Sequence, residues 1–94
     1  MTVNFTPQAH DDLRAIRDWI SENDSRAAER VVVRIVQTAM MFGQFPLLGR
    51  AGQVSGTREF SVVGLPYLIV YLLAADSDVD VLTVVHTRRR YPGD

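Results

Sequence analysis

The sequence predicts an α+β fold: a small antiparallel sheet in the order β-α-α-β-β-β, with an N-terminal helical hairpin packed on one face. Three observations carry this. The first half holds two apolar stripes at helical spacing. The second half holds three runs of strand-forming residues. The links between those runs are short enough for hairpins, which join antiparallel neighbours. A chain of 94 residues with 47% apolar content suits one compact domain spanning residues 1–94, and such a chain buries about 60 to 65% of its unfolded surface.

Taking the elements in order, "TVNFT" at 2–6 alternates weakly and reads as a short first strand. "TPQAHDD" then starts a helix: Thr6 can cap it, Pro7 fits the first helical position, and Asp11 and Asp12 lie near the positive end of the dipole. Ala9, Leu13, Ile16 and Ile20 share one face with Trp19 beside it, and the helix ends near "SENDS" at 21–25. Ser25 can cap a second helix running to about Phe42, where Gly43 and Pro46 stop it. Ala28, Val31, Ile35, Ala39 and Phe42 form one line on it; Val32, Val36 and Met40 form another. Such width suits contact with the first helix and the sheet together, or with another subunit. "GQFPLLGRAGQVSG" at 43–56 is a glycine-punctuated connection. Strands follow at 57–63, 67–75 and 79–87, separated by "GLP" and "DSD".

Composition narrows the function classes. The chain has no cysteine, which removes disulfides and thiolate metal sites. The start lacks the pattern of a signal peptide, and "LIVYLLAA" at 68–75 is too short to span a membrane, so a cytoplasmic protein without membrane contact is expected. The net charge of −1 argues against broad electrostatic binding of nucleic acid. All ten basic residues are arginine, which excludes catalysis by lysine, the cation whose pKa is readily lowered. His10, Asp11 and Asp12 imitate a metal triad, but consecutive helical residues diverge, so they read as a solvated helix start. No metal or cofactor is expected.

Strand alternation separates two faces. Val79, Val81, Thr83 and Val85 read as the core face of the last strand. Asp80, Leu82, Val84, His86 and Arg88 then point to the open side. In the middle strand both faces are apolar, so Leu68, Val70, Leu72, Leu82 and Val84 would leave the helix-free side uncovered. Exposed contiguous apolar surface marks an interaction site, and its burial is worth about 25 cal/mol per Å². A partner segment is expected to cover it.

"FPLLGR" at 45–50, "GTREFSV" at 56–62, "LPYLIVYLL" at 65–73 and "VLTVVHTRRRYP" at 81–92 together resemble the ParE/RelE superfamily of type II toxins. The resemblance implies a small antiparallel sheet with two N-terminal helices and a cognate antitoxin, ParD-like or similar, wrapped around the toxin. It also implies one of two activities. RelE-like members are ribosome-dependent endoribonucleases, whereas ParE-like members poison DNA gyrase without known catalysis, and the fold alone does not choose.

RNA cleavage needs a base, an acid and cations for the developing phosphorane charge. Where RelE-like enzymes place lysines, this chain has Glu59 and Ser61, and the arginine before the "LVY"-type stretch matches Leu68. Arg88 alone persists. A second nuclease pattern in the superfamily takes a glutamate, an arginine and a histidine from adjacent strands; Glu59 and His86 fill two of those places from the open face, and Leu68 again stands at the third. Losing one preorganised charge of that kind costs about 3 to 4 kcal/mol of transition-state stabilisation.

Among the other singled-out residues, His86 reads as an orienting hydrogen-bond group rather than as a general base. Arg58 should pair with a carboxylate near the helices, Glu59 should be reachable from the open side, and Arg50 should brace the long loop. Trp19 and Tyr71 read as core. Arg88, Arg89, Arg90 and Tyr91 form the dense functional candidate, in residue types that recur in binding hot spots; the bland alternative is a solvated terminus.

The expectation is thus a ParE-like, non-catalytic inhibitor of DNA gyrase, contacting its target through Arg88, Arg89, Arg90 and Tyr91 and silenced by an antitoxin over Leu68, Val70, Leu72, Leu82 and Val84. The alternative is a RelE-like mRNA endoribonuclease on the ribosome, using Glu59, His86, Arg88 and Tyr91. A third reading is a module whose toxic activity has decayed. A homodimer or a larger toxin–antitoxin oligomer is left open.

Overall fold

A computed structural model describes residues 1–88. The first strand, β1 (Val3–Phe5), leads into α1 (Pro7–Ser21), then α2 (Ser25–Met40) and a single 3-10 turn at Met41–Gly43. The strands β2 (Arg50–Ala51), β3 (Arg58–Ser61), β4 (Tyr67–Leu73) and β5 (Val79–His86) follow. The sheet runs β1-β5-β4-β3-β2, with the helices on one face.

Local chemistry sets the helix ends. The Thr6 side chain accepts from the Ala9 amide at 3.2 Å and donates to the Leu82 carbonyl at 2.9 Å, so one hydroxyl caps α1 and ties it to β5. Pro7 occupies the first helical position, where a missing N–H costs nothing. The first turn holds no acid: Asp11 pairs with Arg14, and Asp12 faces β5. The cap of α2 is Asp24 rather than Ser25. One oxygen of its carboxylate takes both the Arg26 and Ala27 amides, at 3.0 Å each, and so satisfies two of the orphan donors of the helix start.

Two features depart from a purely antiparallel meander. β1 pairs with β5 in parallel, Val3 opposite Val79 and Phe5 opposite Val81, so the sheet is mixed. Hairpins dictate direction only for β3, β4 and β5; the direction of β1 follows from where the helical hairpin must land. The long connection also yields β2, whose Arg50 and Ala51 lie opposite Glu59 and Arg58.

The core lies between the helices and one sheet face. Ala9, Ile35, Ala39 and Phe42 meet Val62, Tyr67, Ile69, Tyr71, Val79, Val81 and Val84, all buried. Ala28 and Val32 are buried as well, whereas Met40 is half exposed, so the wider stripe of α2 is only partly used. Tyr71 is wholly buried, as its strand position implies, and stacks on Phe42 at 3.9 Å. Trp19 is not core: 57% of it is exposed.

A β-bulge reorganises β5. Val70 pairs with Thr83 and Tyr71 with Val81, leaving Leu82 as the extra residue. Period-two alternation therefore shifts by one place beyond it. Val79 and Val81 face the helices, as expected, but so do Val84 and His86, while Val85 turns to the helix-free face. Val84 is a core residue, 4% exposed, and not part of the open surface.

Candidate functional site

Two surfaces follow from this register. On the helix-free face, rows run across the strands: Ser61, Leu68 and Val85 lie opposite one another, as do Glu59, Val70 and Thr83, and as do Leu72 and Asp80. Leu68, Leu72, Leu82 and Val85 are half-buried on that side, and Val70 is almost wholly covered by its neighbours. The apolar strip is thus real, with Val85 standing where Val84 was expected.

Glu59 is not reachable there. It is 4% exposed and accepts from the Gln53 amide at 2.9 Å, and Arg50 lies 3.6 Å from its other oxygen. The loop after β2 folds over it, closed by Gly52 N–H to the Thr57 carbonyl at 2.8 Å. Arg50 does brace the loop, through this carboxylate. Arg58 finds a carbonyl rather than a carboxylate, donating to Gly49 O at 2.7 Å.

His86 belongs to the other face. It lies opposite Tyr67, whose ring meets its imidazole edge-on at 5.4 Å. Glu59 lies opposite Val70, three residues further along β4, and an odd separation on a strand places the two side chains on opposite faces. The structure therefore does not bring Glu59 and His86 together. Arg88 also lies on the helix side; its amide donates to His86 Nδ1 at 3.2 Å, which leaves the ring proton on Nε2. Arg89, Arg90 and Tyr91 lie outside the described residues.

His86 and Arg88 line a cleft of about 300 Å³ between α1 and the end of β5, with Asp12, Ala15, Ile16, Trp19, Tyr67 and Val84. Asp12 is no solvated helix residue. Its Oδ2 accepts from the Thr83 hydroxyl and from the Val84 amide at 3.0 Å, and its Oδ1 takes Gln8 Nε2 at 2.8 Å. Sequence reasoning missed this cleft because helical periodicity placed Trp19 beside the apolar face and strand alternation placed His86 on the wrong side. A hint was present: an acid at Asp12 amid apolar neighbours needs buried donors. His10 only approaches the ring of Phe5, at 6.0 Å, and no group of three metal-ligating side chains occurs among the described residues. No helix among them is long and apolar enough to cross a membrane.

Residues 3–91 match the model of the ParE toxin of the type II toxin–antitoxin system parDE. The protein Y4kP of Sinorhizobium fredii is 34% identical over 90 residues, covering 96% of this chain and 92% of its own length. The toxin RelE2 of Caulobacter vibrioides is 36% identical over 87 residues, covering 93% and 96%. Among solved structures, a chain of the chromosomal ParDE system of P. aeruginosa superposes with a TM-score of 0.83 at 22% identity, over 92% of this chain and 95% of that one. A chain of the RelBE2 toxin–antitoxin complex of Mycobacterium tuberculosis gives 0.66 at 23% identity, over 90% and 95%. The chain belongs to the ParE toxin family of type II toxin–antitoxin systems, within the ParE/RelE superfamily, and has its α+β fold.

Proposed function

We propose that this toxin acts as ParE-like members do, by binding DNA gyrase rather than by cleaving RNA, and that a cognate antitoxin holds it inactive. The observation that carries this is the separation of Glu59 from His86. A two-group acid–base mechanism needs both within reach of one phosphodiester. Here Glu59 is tied to Arg50 and Gln53 under a loop, while His86 opens on the opposite face. The row through Leu68 offers Ser61 and Val85, neither of which supplies a cation. Target binding falls to Arg88, Arg89, Arg90 and Tyr91, and the antitoxin covers Leu68, Leu72, Leu82 and Val85 with Val70 beneath them.

A supercoiling assay with purified gyrase tests this reading. Inhibition that rises with toxin and is relieved by antitoxin is expected; unchanged supercoiling at large molar excess overturns it. A variant with Arg88, Arg89 and Arg90 all replaced by alanine should fold but lose toxicity. The likeness to RelE2 favours the second reading, RNA cleavage on the ribosome. Primer extension on translated mRNA distinguishes it, since new ends within codons arise only from that activity.

A further inference from the structure

The outer edge of β5 is covered over only part of its length. β1 pairs with Val79, Asp80 and Val81, and the Thr6 amide and hydroxyl then take the carbonyls of Val81 and Leu82. Beyond that point no strand follows among the described residues. The antiparallel ladder with β4, in which the Thr87 amide donates to the Pro66 carbonyl at 2.8 Å, turns the amides of Thr83 and Val85 inward and those of Val84 and His86 outward. Asp12 takes the Val84 amide. The Val84 carbonyl and both backbone groups of His86 have no partner among the described residues.

This edge runs along the cleft. Its floor is aliphatic and aromatic, from Ala15, Ile16, Trp19 and Val84. Its polar rim consists of donors: the guanidinium of Arg88, which has no ion-pair partner among the described residues, and the Nε2 proton of His86. Asp12, the one carboxylate present, has both oxygens engaged. An unpaired strand edge beside an apolar floor is a template for strand addition, with main-chain bonds giving affinity and side-chain pockets giving selectivity.

We propose that the Val84–His86 edge receives an extended, acidic segment of a partner protein, which continues the row that β1 begins, lays an apolar side chain against Ile16 and Trp19, and sets a carboxylate on Arg88. Peptide is favoured over nucleic acid because the rim offers one guanidinium among the described residues and the chain carries a net charge of −1, whereas nucleic acid requires several phosphate contacts. The inference stands on the edge geometry and does not depend on gyrase being the target.

Trp19 is the only tryptophan and lines the cleft, so its emission reads occupancy directly. The probe is a capped hexapeptide of sequence TVLVED, titrated into the full chain to about 5 mM, a range that captures affinities of about 4 kcal/mol. Expected results are a saturable shift of Trp19 emission, about fivefold slower hydrogen exchange at the His86 amide, and about tenfold weaker binding to Arg88→Gln or of the amidated peptide TVLVQN. An emission shift without slowed exchange at His86 overturns strand addition, as does the absence of any saturable shift. Equal response to adenosine monophosphate would make the cleft a nucleotide site, and concentration-dependent protection of His86 without peptide would make a second copy the occupant; either result overturns the proposal. Because binding is read without gyrase, a negative supercoiling result leaves these measurements intact.

Discussion

The two ends of the helix-covered core are built from the same residue types to opposite effect. At one end Tyr71 is sealed: it stacks on Phe42, its hydroxyl accepts from the Gly49 amide at 2.7 Å and donates to the Pro46 carbonyl at 2.9 Å. A Cβ at Gly49 would lie 2.8 Å from both the Tyr71 ring and the Glu59 carbonyl, so the loop approaches as closely as backbone can. At the other end Tyr67, His86 and Trp19 leave an open cleft. The difference separates the roles of aromatic residues here: at one end a loop closes over the Tyr71 ring through two hydrogen bonds, and at the other Trp19 stays 57% exposed at the mouth of the cleft.

The largest test of this contrast is Tyr71→Ala, which should cost about 3 to 5 kcal/mol in urea unfolding by opening a cavity against Phe42. Should the loss stay below about 1 kcal/mol, the sealed end is not what holds the core. On the helix-free face, Leu68→Asp should leave unfolding nearly unchanged while weakening antitoxin binding by about 2 kcal/mol in calorimetry, because a charge is set into the apolar strip. Unaltered antitoxin affinity would move the antitoxin elsewhere.

Tyr71→Phe is a finer probe, expected to cost about 1 to 2 kcal/mol because the buried Gly49 amide loses its acceptor. It also carries a pH signature. Burial raises the Tyr71 phenol above its ordinary value of 10.0, opposed by the Gly49 amide and the charge of Arg58. A phenol with a raised folded-state pKa contributes stability that is intact below pH 10.0 and is lost as pH climbs through the folded value. Wild type should therefore lose stability in that alkaline window more steeply than Tyr71→Phe; identical slopes would mean that the hydroxyl is not buried. The smallest effect belongs to the open end. Trp19→Ala should change stability by no more than about 0.5 kcal/mol, and a larger loss by thermal melting would return Trp19 to the core.

Much of the fold was legible in the residues. Thr6 followed by Pro7 marks the start of α1, the stripe Ala28, Ile35, Ala39 and Phe42 marks the buried side of α2, and the three strand runs lie within a few residues of β3, β4 and β5. Each is a local signal: a cap, a helical period, a short hairpin link. The site was less legible. Leu82 carries no glycine or proline to announce a bulge, and β5 is apolar on both faces, so the shift that moves Val84 and His86 under the helices has no compositional trace. Glu59 looked open because alternation gives a direction and not a cover; the cover comes from the loop after β2.

The sequence by itself determined the two helices, the hairpin order of the last three strands, the absence of lysine chemistry and the superfamily. It could do so because caps, periods and motifs act over a few neighbouring residues. Only the tertiary structure decided that β1 runs parallel to β5, that Glu59 and His86 stand on opposite faces, and that Trp19 opens a cleft beside a strand edge with no partner among the described residues. Those outcomes depend on one extra residue in a strand and on contacts between segments far apart in the chain, and a register change of one residue reverses every side chain beyond it.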